Sequence, residues 1–188
     1  MLRCRPFVLL LVLLTGCTNL YVMSHVPLST MSRLASLHFT EIDLAALRVA
    51  VLLPEALEPR PEGVKVRLES GGGDGQTVSE FVLERVTEAS EGAALTAYNI
   101  QGTRLWVYRL APKDLDRLNR LRGEAAEKHI SMSVSADACR RAPLEQAPLP
   151  LTTFLRIDGS GYFMLVDDLD LRSVIPEREL AARVPPCR

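Results

Sequence analysis

The sequence predicts a mainly β chain: a single antiparallel domain, sandwich-like or barrel-like, carrying one amphipathic helix. Three observations predict it. Val64–Glu69 and Ile130–Ala136 alternate apolar and polar residues strictly, the period-two pattern of a strand with one buried face. Turn signals built from Gly, Pro and Asp recur roughly every 8–14 residues, the spacing of an all-β chain. Only Pro112 to about Lys128 repeats its apolar residues at helical spacing over several turns.

The chain opens with Arg3 and Arg5 and no acid, then an apolar run of eight residues from Phe7 to Leu14. A membrane-spanning helix needs roughly 20 apolar residues, so residues 1–16 read as an export signal rather than a span. The run ends in Leu14-Thr15-Gly16-Cys17. This stretch resembles the lipobox of bacterial lipoprotein signal peptides. The resemblance implies cleavage before Cys17, acylation of Cys17, and attachment of the mature chain to a membrane through that residue. The competing reading is an ordinary signal peptide with an incidental cysteine. Each buried methylene contributes about 0.8 kcal/mol and one acyl chain binds only marginally, so the several chains of a lipoprotein cysteine make a durable anchor. Thr18 stands where an Asp would resemble an inner-membrane retention signal. The expected address is therefore the cell envelope, facing the periplasm, with the outer membrane favoured over the inner. On this reading residues 17–32 form the lipidated N-terminus and tether, and residues 33–188 form one soluble β-rich domain.

Removing residues 1–16 from the 188 leaves 172, enough for one domain with a substantial core. Loss of Arg3 and Arg5 lowers Lys+Arg from 22 to 20 against 23 Asp+Glu, a net charge near −3. No basic block points to nucleic acid. Of the four cysteines, Cys4 leaves with the signal and Cys17 takes lipid. Cys139 and Cys187 remain, and export would place them where disulfides form. They are expected to pair and to staple the C-terminal tail to the body. Neither a CxxC motif nor a Cys/His cluster suggests zinc.

The elements follow in order. Arg33–Phe39 alternates in the manner of a strand, with Leu34 and His38 on one face. Thr40 and Asp43 precede Leu44–Leu47, a capped turn. Arg48–Leu53 is uninterrupted apolar sequence after its first residue, stopped by Pro54, as expected of a central strand buried on both faces. Pro54, Pro59, Pro61 and Gly63 then mark a surface loop. Val64–Glu69, the glycine-rich Ser70–Gly75 and Thr77–Val86 read as a hairpin. A phosphate-cradling loop would need a helix next, and a strand pattern follows instead. Ala93–Ile100 is predicted as a strand, Gln101-Gly102 as a turn, and Thr103–Leu110 as a strand with Trp106 and Tyr108 opposite Leu105 and Val107. In the helix from Pro112, Leu115, Leu118 and Leu121 share one face, and Asp114 and Asp116 sit near the positive end of the dipole. Ile130–Ala136 is a strand with three serines on its wet face. Arg140–Pro150 is a loop, and Leu151–Ile157 with Tyr162–Val166 is a second hairpin. Glu177–Arg183 is a short helix. The total is about eight or nine strands.

No catalytic, cofactor-binding or metal-binding set emerges. The histidines, His25, His38 and His129, are scattered over tether, strand and helix end. Ser160 lies between glycines, but the spacing is not that of a nucleophile elbow and a strand follows. Asp167, Asp168 and Asp170 offer the oxygen ligands calcium takes, yet without a glycine-bearing loop they read as a solvated strand end. The expected function is that of a non-enzymatic envelope lipoprotein, held at the membrane by Cys17 and acting as a binding, accessory or structural protein with an envelope protein partner. The alternatives are a lipid-anchored hydrolase and an accessory protein carrying lipid or another small ligand. Contact of His38 or His129 with Asp167, Asp168 or Ser160 in a cleft would favour the hydrolase.

Overall fold

A computed structural model describes residues 24–35, 42–70, 77–98, 100–124, 130–159 and 161–188. The signal segment, Cys17, His38, Thr40, the Gly71–Gly75 run, His129 and Ser160 lie outside these residues. The elements are helix α1 (Leu28–Ala35), strands β1 (Arg48–Pro54), β2 (Leu57–Ser70) and β3 (Thr77–Val86), helix α2 (Ala89–Ala93) with a 3-10 turn at Thr96–Tyr98, and strand β4 (Thr103–Leu110). Helix α3 (Pro112–Glu124), strands β5 (Ile130–Arg140), β6 (Pro150–Arg156) and β7 (Phe163–Asp170), and helices α4 (Leu171–Val174) and α5 (Glu177–Arg183) complete it. The seven strands form one antiparallel sheet in the order β5-β2-β3-β4-β1-β6-β7. The sheet is curled like half a barrel.

β1 lies in the interior of the sheet, between β4 and β6, which explains why its sequence is apolar at every interior position. Val49, Val51 and Leu53 face the main core, while Ala50 and Leu52 face a smaller cluster on the other side. β4 divides in the same way: Trp106 and Tyr108 face the main core and Val107 the smaller one. Strands from both ends of the sheet supply the main core, from Val134 on β5 to Leu155 and Phe163 on β6 and β7, so this face is the inside of the curl. α3 packs Leu115, Leu118 and Leu121 onto it, and the Arg117 guanidinium lies 4.8 Å from the Phe81 ring centroid. On the outer face, α2 and the 3-10 turn cover Ala50, Leu52 and Phe154 with Leu95 and Tyr98.

Three segments depart from the sequence pattern. The strand expected from Arg33 is the end of α1 as far as Ala35, and the residues assigned to a tether already pack from His25 onward. LSTMSRLA places Leu28, Met31, Leu34 and Ala35 at three- and four-residue spacing, which at this length competes with a period of two. Ala93–Ile100 is the end of α2 and a 3-10 turn rather than a strand. Seven strands stand among the described residues, against the eight or nine expected. Pro59, Pro61 and Gly63 lie within β2 rather than in a loop. Leu57–Pro59 already pairs with Ala138–Arg140, and the register shifts between Pro59 and Val64. Prolines survive in a strand at such a bulge. Gly63 is fixed there by close approach, because a Cβ would stand 2.8 Å from the Asp137 carbonyl oxygen.

Candidate functional site

The C-terminal segment closes the open side of the sheet. β7 ends the sheet at one edge and β5 at the other. Asp170 turns the chain by capping α4: its Oδ1 accepts the N–H of Arg172 at 3.0 Å and that of Leu149 at 2.9 Å. Leu171 and Ile175 pack on the main core, and Leu180 and Val184 are buried in it. Beyond α5 the chain reaches β5. The Arg140 N–H donates to the Pro185 carbonyl at 2.8 Å, and the Cys187 N–H donates to the Arg140 carbonyl at 2.9 Å, a short parallel bridge. The Cys139 and Cys187 sulfurs stand 2.05 Å apart with Cα atoms 5.0 Å apart. The cysteines expected to pair are thus brought to bonding geometry, and what they hold is a strap across the gap between β7 and β5.

Two depressions flank the strap. One, of about 520 Å³, is lined by Arg140, Arg141, Pro143, Leu144, Glu177 and Leu180 among others. The second, of about 300 Å³, holds Arg60, Pro61 and Arg188 beside Cys139. A groove of about 400 Å³ at the start of β4 and β6 is lined by Leu52, Pro54, Ile100, Pro148, Thr152 and Asp168, among others.

The β7 edge is covered by the segment from His25 to Arg33, most of which the sequence assigns to the tether. The Asp167 N–H donates to the His25 carbonyl at 2.8 Å. The His25 Nδ1 lies 2.8 Å from the Asp167 carbonyl oxygen. A carbonyl only accepts, so Nδ1 carries the proton in this contact. The Thr30 hydroxyl donates to the Met164 carbonyl, and the Arg33 guanidinium lies 4.4 Å from the Phe163 ring centroid. The His25 carbonyl and the His25 and Thr30 side chains satisfy backbone groups of a sheet edge that would otherwise invite another strand.

On the outer face, Glu91 of α2 bridges two arginines. Its carboxylate lies 3.1 Å from an Arg48 nitrogen and 2.8 Å from an Arg156 nitrogen, and all three side chains are largely buried. The Arg48 guanidinium also donates to the Ala45 and Leu47 carbonyls. Tyr162 completes the group, with its hydroxyl 3.5 Å from the Glu91 carbonyl. Burial raises the Tyr162 pKa, against the lowering pull of Arg156. This cluster joins α2 to β1, β6 and the β6–β7 turn. Sequence reading missed it: its members are ordinary charged residues 43 and 65 positions apart.

The acids that suggested calcium do not converge. Asp167 and Asp168 are exposed, with Asp168 at φ 47°, and Asp170 is occupied as a helix cap. Among the described residues, no three His, Cys, Asp or Glu side chains gather at metal-binding distance. The serines Ser131, Ser133 and Ser135 line the exposed face of β5. No helix among the described residues is long and apolar enough to cross a membrane. No protein-family description, curated protein or solved structure matches this chain.

Proposed function

We propose that the chain is a bacterial envelope lipoprotein, acylated at Cys17, whose β-domain works at a membrane surface as a non-enzymatic binding or accessory protein for another envelope protein. The Leu14-Thr15-Gly16-Cys17 stretch behind a basic start and an eight-residue apolar run carries the reading. Two structural features support it. The Cys139–Cys187 pair sits at bonding geometry, as suits an exported chain. Secondly, His25 fixes the chain to β7 only eight residues after Cys17. At the fully extended limit those eight residues span about 28 Å, so an acylated Cys17 would hold the domain close to the bilayer.

The test is crosslinking in intact cells, with photoreactive residues placed at Ser133 on β5 and at Glu177 beside the strap. The expected result is a discrete adduct with one envelope protein, retained when the cells are grown in varied media. Crosslinks only to abundant bystanders, in proportion to their abundance, would overturn the accessory role.

A further inference from the structure

The two edges of the sheet are finished differently. β7 is flanked by the segment from His25 to Arg33, which meets Asp167, Met164 and Phe163. β5, the last strand at the other edge, is bridged to the strap through its backbone at Arg140. From Ser131 to Ala136 it pairs residue for residue with β2, from Glu69 to Val64. Among the described residues, no backbone group of Ser131–Ala136 has a hydrogen-bond partner outside β2. An antiparallel strand turns the N–H and C=O groups of alternate residues to each side, so this stretch offers a free row to another strand. Edges are ordinarily protected by charge, proline or a bulge. Ser131–Ala136 holds no charged residue and no proline, and the bulge with its prolines lies one strand further in, on β2.

Burial along the same stretch points the same way. Register sets Met132, Val134 and Ala136 beside Leu68, Val66 and Val64. The three on β2 are 3%, 1% and 0% exposed. Their neighbours on β5 face the same core yet are only half-buried. β2 has a strand on each side and β5 has one, so the outer flank of the apolar row stays uncovered. On the other face Ser131, Ser133 and Ser135 form an exposed row of hydroxyls. A further strand laid along β5 would complete all three features: the backbone ladder, the apolar row and the hydroxyl row.

We infer that the strand laid there is β5 of a second copy of this chain, antiparallel and centred on Ser133, so that two curled sheets join edge to edge. The stretch is complementary to itself in that register. Ser133 meets Ser133, Ser131 meets Ser135, and Met132 meets Val134. Apolar rows then meet on one face and hydroxyls on the other, whereas a slip of one residue would set Ser against Val and turn one copy's apolar row to the wet face. Charge agrees with the register as well. Asp137 lies four residues beyond Ser133, so the aspartates of the two copies stand eight residues apart along the seam, about 27 Å. The seam is the same patch on both copies, and because the β7 edges are covered, the assembly closes at two. The dimer stands whether or not Cys17 is acylated. It leaves Glu177 and the strap to another envelope protein, and a photoreactive residue at Ser133 then captures the second copy as well.

The test uses the full-length chain, expressed in bacteria and oxidised with copper phenanthroline in whichever fraction holds it. Ser133→Cys and Ser131→Cys are compared on non-reducing gels with the unsubstituted chain treated in the same way. Facing residues of an antiparallel pair have Cα atoms about 4.5–5.5 Å apart, within disulfide reach, so Ser133→Cys is expected to give a reducible band at twice the chain mass. Two copies of position 131 stand four residues apart in this register, about 13 Å, so Ser131→Cys should give several-fold less. Mixing Ser131→Cys with Ser135→Cys should restore the band. Equal bands from 131 and 133, or none from 133, overturn the seam. A band from 133 at another mass shows a different protein on the edge and overturns the second copy. Ser133→Lys supplies an independent readout, because it sets two ammonium groups against each other on a face that is exposed in the single chain. Light scattering of the detergent-solubilised chain should report a dimer for the unsubstituted protein and a monomer for Ser133→Lys, with circular dichroism unchanged. A monomer in both, or a dimer in both, contradicts the inference.

Discussion

Cys187 donates its backbone N–H to the carbonyl of Arg140 at 2.9 Å, one residue beyond Cys139, the cysteine it meets through sulfur. A side-chain link and a backbone bridge therefore hold the same point. The strap they secure joins the two edges of a sheet whose strands do not close on themselves.

Removing the link should loosen that closure. The cysteines are 48 positions apart, and chain entropy assigns a loop of that length about 4 kcal/mol. Cys139→Ser is expected to lower unfolding free energy by roughly 2–4 kcal/mol. It should also raise amide exchange at Arg140 and Cys187 more than at β1. Urea unfolding and hydrogen exchange on oxidised wild type and variant check both. An unchanged midpoint with unchanged exchange at Arg140 would show that the strap holds without its link.

Glu91 is the second point at which one residue holds several elements. Replacing it with Gln leaves Arg48 and Arg156 facing each other in a largely buried position. Loss of one partner in a buried ion cluster costs roughly 3–5 kcal/mol, and partial exposure places Glu91→Gln toward the lower end of that range. Thermal unfolding of the variant checks the size. Proteolysis checks the place, since α2 should become the first site of cleavage.

Tyr108 makes stability sensitive to alkali. Burial pushes its pKa up to about 12, from an ordinary value of 10.0. The folded state thus keeps its phenol proton over a range where the unfolded chain loses it. The contribution of Tyr108 is complete below pH 10 and is lost progressively as pH rises toward about 12. Urea midpoints measured across this range should fall. Tyr108→Phe, which has no phenol proton to lose, should flatten the decline.

Much of this architecture is legible in the residues, and the exceptions have physical reasons. β1 announces itself by an apolar run, and β4 by Trp106 and Tyr108 alternating with Leu105 and Val107, because burial on one or both faces writes directly into the pattern. α5 matches Glu177–Arg183 residue for residue, and Asp43 caps the turn that follows it, accepting from the Ala45 and Ala46 N–H groups, while Thr40, its expected partner, lies outside the described residues. α1 and α2 are misread because each is short and takes its conformation from what it covers. α1 lies along β7 through Thr30 and Arg33, and α2 is pinned through Glu91 to Arg48 and Arg156. Local periodicity carries no record of either contact. The pairing of Cys139 with Cys187 is expected once residues 1–16 are read as an export signal, whereas the Arg140–Pro186 bridge is made by backbone atoms that every residue possesses. The end of the sheet at which the chain enters is likewise a property of topology, set by His25 meeting Asp167.

The account rests most heavily on Cys17. The direct measurement is the intact mass of the mature protein extracted from membranes, with sequencing of its N-terminal peptide. The account predicts a chain beginning at Cys17 whose mass exceeds that of residues 17–188 by a diacylglyceryl group and acyl substitution. Cys17→Ser should abolish both the added mass and membrane retention. A mature chain that begins elsewhere, or that carries a free Cys17 thiol and is recovered in the soluble fraction, would contradict it.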